Sequence, residues 1–146
     1  MIYFKKLLIK SLIRTGSEKK NSFVLSYHDI SHSGKLTPEF FEYQIKYWLK
    51  KGYSFVSEVE ELKKQRKILL TFDDAYESFE KNVLPILKSY SIPVILFIPT
   101  KYLGRPLKDN ISKPENQKRR IISLNSLKKI SKLSFVMLGN HTYSHF

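Results

Sequence analysis

The stretch Ile68-Leu69-Leu70-Thr71-Phe72-Asp73-Asp74 decides the fold. Its first five residues are apolar or β-prone without the polar alternation of a half-solvated strand. That pattern predicts a strand covered on both faces, as the strands of parallel sheets are. The strand runs directly into two adjacent carboxylates. Outward from it, further short apolar segments lie at Phe23–Tyr27, Tyr53–Ser57, Pro93–Ile98 and Phe135–Leu138, the last ending at Gly139. Each predicts a strand, and helical segments separate them.

Thr37-Pro38-Glu39 opens a helix, with Thr37 as N-cap and Pro38 at the first helical position. Phe41, Ile45, Trp48 and Leu49 give that helix an inward apolar stripe, and Gly52 ends it. Glu58–Gln65 predicts a short charged helical turn. A helix near Ser78–Tyr90 turns Val83, Leu84 and Leu87 inward, and Pro85 kinks it or marks its restart. Residues 99–120 read as a polar loop in which the Lys118-Arg119-Arg120 cluster is solvated. Ser123 caps a last helix through Leu127 and Ile130.

Strands alternating with helices predict parallel βαβ units and an α/β fold. At ~30 residues per unit, the chain holds about four or five of them. A complete (β/α)8 barrel takes ~250 residues, against 146 here. The expected architecture is therefore a small open sheet or an unfinished barrel.

Composition narrows the function classes. With 42% hydrophobic, 14% aromatic and 27% charged residues, and only 5 Gly and 6 Pro, the chain has a globular composition rather than a collagen-like or low-complexity one. No apolar run approaches the ~20 residues of a membrane-spanning helix. There is no cysteine, which excludes disulfides, iron–sulfur clusters and thiolate zinc sites, so a metal must be held by His, Asp or Glu. The net charge of +13 invites a nucleic-acid or anionic-membrane reading. However, 21 of the 26 cations are lysine, scattered over several helices, and only 5 are the arginine suited to bidentate phosphate and base contacts. Nucleic acid is therefore an unfavoured partner.

Residues 1–21 form a basic amphipathic segment, separate from a domain over residues 22–146. Lys5, Lys6, Lys10 and Arg14 interrupt its apolar positions, so it does not read as a secretory signal peptide. That points to the cytoplasm or the inner face of the membrane. On a helix, Leu8, Ile9, Leu12 and Ile13 share one side, which makes residues 1–14 a candidate for peripheral contact with an anionic membrane surface. The alternative is a short helix packed on the domain.

Two segments at predicted strand ends offer chemistry, and parallel α/β folds place their sites there. The first is Thr71-Phe72-Asp73-Asp74. Two adjacent carboxylates in one pocket repel each other unless a cation or a division of roles relieves them; a solvated helix N-cap pair is the plain alternative. The second is His141-Thr142-Tyr143-Ser144-His145. On a helical turn, histidines four apart share a face and converge on one metal; surface histidines are the alternative. Together the segments supply two nitrogens and one oxygen, the ligand set of a catalytic zinc with a position left open. His28, at the end of the first strand, reads as a supporting group near the site or as a satisfied core histidine. Tyr76 and Tyr143 are candidates for sugar stacking or for packing.

Thr71-Phe72-Asp73-Asp74 followed by His141-Thr142-Tyr143-Ser144-His145 resembles the polysaccharide deacetylases of the NodB-homology type (carbohydrate esterase family 4), whose first two motifs read T-F-D-D and H-[S/T]-x-x-H. Leu25-Ser26-Tyr27-His28, Asn82-Val83-Leu84-Pro85-Ile86-Leu87 and Ile92-Pro93-Val94 extend the resemblance from about residue 22 onward. It implies a (β/α) barrel of the deacetylase type, incomplete in this chain. Asp73 would be the general base, and Asp74, His141 and His145 the ligands of a divalent metal, zinc most often and cobalt as the alternative. The implied reaction hydrolyses the acetamide of an N-acetylated polysaccharide or glycan to acetate and a free amine. Position 75 is Ala where the family commonly has Gly, so the turn after Asp74 is expected to avoid left-handed dihedrals. The family's later motifs, which supply an arginine on the base, part of the oxyanion hole and a general acid, have no counterpart here. The chain is thus expected to be the N-terminal part of such an enzyme. The rival readings are a non-catalytic metal- or sugar-binding remnant and a basic nucleic-acid or membrane-surface module.

Overall fold

A computed structural model describes residues 21–32, 34–106 and 119–145. The expected basic amphipathic segment over residues 1–21, with its candidate membrane-contact stretch 1–14, lies outside the described residues except for Asn21, and so does Lys118. Five strands form one sheet: β1 (Phe23–Tyr27), β2 (Ser54–Val56), β3 (Lys67–Phe72), β4 (Val94–Ile98) and β5 (Val136–Asn140). The helices are α1 (Pro38–Lys50), α2 (Leu84–Ser89) and α3 (Leu124–Ile130). Every pairing is parallel, in the order β1-β3-β4-β5, with β2 also on β3. The parallel α/β expectation holds.

β3 is central in both senses. Ile68 pairs with Phe23 of β1 and with Phe55 of β2, which requires both edges of the strand. Thr71 and Phe72 likewise face Ser26 and Tyr27 on one side and Ile95 and Leu96 on the other. After Lys67 every residue of β3 is buried, which is why its sequence carries no polar alternation. Phe72 anchors an aromatic cluster: its ring lies 5.6 Å from Phe41 of α1, 5.2 Å from Phe79 and 5.4 Å from Tyr27. Burial of each such ring contributes about 1.5–3 kcal/mol. The one polar tip in this cluster is satisfied: the Tyr27 hydroxyl donates to Gln44 Oε1 at 2.7 Å, and burial holds its pKa well above the ordinary phenol range.

The helix signals read from the sequence are present. Thr37 Oγ1 accepts from the Phe40 N–H at 3.3 Å, Ser123 Oγ accepts from the Ser126 N–H at 3.1 Å, and Gly52 takes φ +77° just past α1. The stripe of α1 is narrower than expected. Phe41 and Ile45 are fully buried, but in the last turn Trp48 takes the contact with Phe23 (4.9 Å) and Tyr53 (5.1 Å), and Leu49 is left 39% exposed. The expected helix over Ser78–Tyr90 is a π turn, Phe79–Val83, followed by α2. Pro85 sits in the first turn of α2, where its missing N–H leaves no bond unmade. Pro85 thus marks a restart.

Residues 99–120 are not simply a polar loop. Thr100–Tyr102 form a 3-10 turn with Tyr102 buried, and Leu103 and Pro106 bridge to Ile121 and Arg120. Ile121 and Ile122 are both completely buried, and Ile121 also bridges Tyr76. These two apolar residues pull residues 119–122 across the molecule as a strap. β5 begins at Val136 and continues through Gly139, where a Cβ would lie 2.5 Å from the Phe97 ring of β4. Glycine leaves the space that this ring occupies against β5. The C-terminal ends of β1, β3, β4 and β5 then line one end of the sheet.

Candidate metal centre

Both site segments are placed by one extra backbone bond at a strand end. The Asp73 N–H donates to Tyr27 O at 2.8 Å, prolonging the β1–β3 ladder, and the His141 N–H donates to Ile98 O at 3.1 Å, prolonging the β4–β5 ladder. Asp73 therefore lies on the β1 side. Its Oδ2 accepts from Ser26 Oγ at 3.1 Å and lies 3.7 Å from Nε2 of His28. Asp74 is sent the other way by a backbone reversal, with φ +68° at Asp74 and +49° at Ala75. The expectation that Ala75 avoids left-handed dihedrals is thus overturned. An L-residue costs roughly 1–2 kcal/mol there, so the turn must be held from outside.

The strap supplies that hold. The Ile122 N–H donates to Ala75 O at 2.9 Å, and the Glu77 N–H donates to Arg120 O at 2.9 Å, so the strained turn is bonded on both sides. Asp29, with its carboxylate only 7% exposed, fastens the end of the strap. Its Oδ1 accepts from Ser78 Oγ, and its Oδ2 accepts from Ser31 Oγ at 3.0 Å and pairs with Arg119 at 3.1 Å. Arg119 also lies over the Tyr76 ring, 5.9 Å from its centroid. Arg119 is accordingly not the solvated cation its cluster suggested: a buried carboxylate from a distant loop requires it. Tyr76 is buried packing.

On the far side, Asp74 Oδ1 lies 2.8 Å from Nε2 of His145 and 3.4 Å from Nε2 of His141. The histidines do not converge by sharing a helical face. Residues 142–144 form a turn with φ +61° at Thr142 and +64° at His145. The Lys101 N–H fixes this turn by donating to Tyr143 O at 3.0 Å. Left-handed residues bring the second imidazole back to the first.

Asp74, His141 and His145 offer ligand atoms that all lie within 4.8 Å of one another. The Asp74 carboxylate is 4% exposed, and its Oδ1 faces the two imidazole nitrogens. A buried carboxylate in that state requires compensating positive charge, and two imidazole nitrogens aimed at it complete a donor set suited to a divalent cation. The residues fit a metal. His28 stands apart from this group, beside Asp73, and is largely exposed rather than part of the core. His32 lies at the surface, 3.5 Å from Glu39. Ser26 and Asp29 were not legible as site residues, because the register that sets Ser26 opposite Thr71 and the fold that brings residue 119 to residue 29 are not local. Replacing Asp29 with Ala is expected to lower stability by about 1–3 kcal/mol, since Arg119, Ser78 and Ser31 lose their acceptor together. Asp29→Asn should cost less. Urea midpoints compare the two, and equal values for wild type and Asp29→Ala would refute the clamp.

The family model described as polysaccharide deacetylase matches residues 60–146, which include Asp73, Asp74, His141 and His145. No curated protein matches the sequence. Among solved structures, IcaB from Ammonifex degensii is similar with a TM-score of 0.72 and 24% identity, over 84% of this chain and 53% of its own. The deacetylase PplD of Streptococcus pyogenes, solved in complex with acetate, gives 0.64 and 22%, over 84% of this chain and 57% of its own. A de-N-acetylase from Aggregatibacter actinomycetemcomitans gives 0.64 and 22%, over 84% and 55%. At these identities the structures establish the fold, and the chain spans about half the length of each. The sheet therefore corresponds to part of the relatives' fold, as an incomplete barrel does. With the model covering more than half of its residues, the chain belongs to the polysaccharide deacetylase family.

Proposed function

We propose that residues 22–146 carry the metal-holding and proton-accepting part of a hydrolase that removes acetyl groups from an N-acetylated polysaccharide or glycan. One observation carries this reading: two consecutive carboxylates at the end of β3 are parted, Asp74 to two histidines and Asp73 to Ser26 and His28. A single metal-binding cluster would have no use for that division. Asp74, His141 and His145 would hold the cation, zinc by its preference for nitrogen and carboxylate donors, with cobalt as the alternative. When bound, the cation polarises an amide carbonyl and acidifies a water molecule.

The remaining work falls to the chain's own groups. Asp73 is partly exposed and thus reachable from solvent. Its carboxylate takes the proton lost by the attacking water, the step for which a general base is needed. The Ser26 hydroxyl, donating to Oδ2, fixes the orientation of that carboxylate. His28 acts as a positioning group on the outer side of Asp73 and not as a metal ligand. The net reaction adds water across the acetamide C–N bond, giving acetate and an amine.

Zinc titration of the purified chain should show one site per chain. Asp74→Ala and His141→Ala should each weaken it by more than the ~10–100-fold that loss of an outer partner costs; unchanged affinity in either variant would refute the ligand assignment. Asp73→Asn should leave zinc stoichiometry intact while acetate release from N-acetylated oligosaccharides falls ~10²–10⁴-fold, the usual contribution of a general base. Equal rates would remove Asp73 from the mechanism. Stoichiometric zinc with no acetate release from wild type would reassign the chain to metal binding without turnover.

A further inference from the structure

We infer that Tyr143 and Lys101 form a platform for a sugar ring at the rim of the metal centre. The inference rests on the deacetylase reading above and extends it to how the substrate is held. Tyr143 lies between the two candidate histidine ligands in sequence, and it is 68% exposed, a high value for a large aromatic side chain whose turn is pinned. Tyr76, the other tyrosine beside a motif, is 5% exposed and lies under Arg119. Among the described residues, packing therefore accounts for Tyr76 and leaves Tyr143 exposed.

The platform is held in place before any ligand arrives. The Lys101 N–H bonds to Tyr143 O, and the Lys101 ammonium lies 6.0 Å from the Tyr143 centroid and 5.6 Å from that of Tyr102. Tyr102 is itself buried, so it anchors the lysine to the body of the fold. An ordered aromatic face beside a cation suits a pyranose. The ring's C–H face is weakly positive and meets the negative face of the aromatic system. Its hydroxyl and acetamide oxygens at the edge accept hydrogen bonds from the ammonium. The same cation disfavours a ring carrying a free amine, which is protonated at neutral pH, because like charges this close repel. The platform thus favours the acetylated substrate over the deacetylated product.

The test is binding rather than turnover. Oligomers of N-acetylglucosamine and of glucosamine are titrated into the 146-residue chain, with and without zinc, by calorimetry. Tyr143→Ala should weaken the acetylated oligomer about tenfold, the scale of one aromatic contact, with zinc affinity unchanged, and Tyr143→Phe should restore most of the loss. Lys101→Gln should narrow the preference for the acetylated oligomer over the amine. Equal affinity in wild type and Tyr143→Ala would overturn the platform, as would absence of oligomer binding to wild type in both metal states. A wild type that binds no zinc yet binds oligomer in a way that Tyr143→Ala weakens would overturn the metal assignment of the proposed function while leaving the sugar-binding platform in place.

Discussion

The structure depends on one buried charge, the Asp74 carboxylate at the end of the central strand. Strand β3 is covered on both faces and paired on both edges, so the chain leaving it has little freedom. A carboxylate placed at such a point is shielded from water, and an unpaired charge there costs several kcal/mol. The fold answers by bringing two imidazoles from the end of β5 to the same oxygen.

Directing Asp74 away from Asp73 requires two consecutive left-handed residues, neither of them glycine. Isolated, that turn would relax. Here the buried pair Ile121-Ile122 lays a strap over it, the strap bonds to Ala75 and Glu77, and Arg119 fastens the strap to Asp29. Strain at the site is thus offset by apolar burial and an ion pair some distance along the chain, a pattern common where backbone conformation serves a function. The second half of the site is arranged in the same way: left-handed Thr142 and His145 are held through the bond between Lys101 and Tyr143.

The sequence makes the fold legible where the signal is local. Continuous burial of β3 shows in an unbroken apolar run, and caps at Thr37 and Ser123 show in their side-chain chemistry. The Asp74, His141 and His145 cluster was legible from spacing joined to a family resemblance, although the histidines meet through a left-handed turn and not a helical one. Three features were hidden for one reason, that each depends on non-local packing. Arg119 resembles any solvated cation until Asp29 is seen beside it. Ala75 betrays no strain without the strap, and Tyr76 and Tyr143 are indistinguishable as letters yet differ more than tenfold in exposure. Leu49 failed in the opposite direction, because Trp48 displaced it from the inward face.

Asp74, His141 and His145 lie together, with Asp73 and His28 outside the cluster, and the proposed role of the three is to hold one cation. Long-range imidazole proton–nitrogen spectra recorded during a zinc titration test it most directly, since the chain has only 4 histidines to assign. Nε2 of His141 and of His145 should move together to values of coordinated nitrogen and saturate at one equivalent, with no coordination shift at His28 or His32. Coordination at His28 or His32, or saturation with only one of His141 and His145 involved, would contradict it.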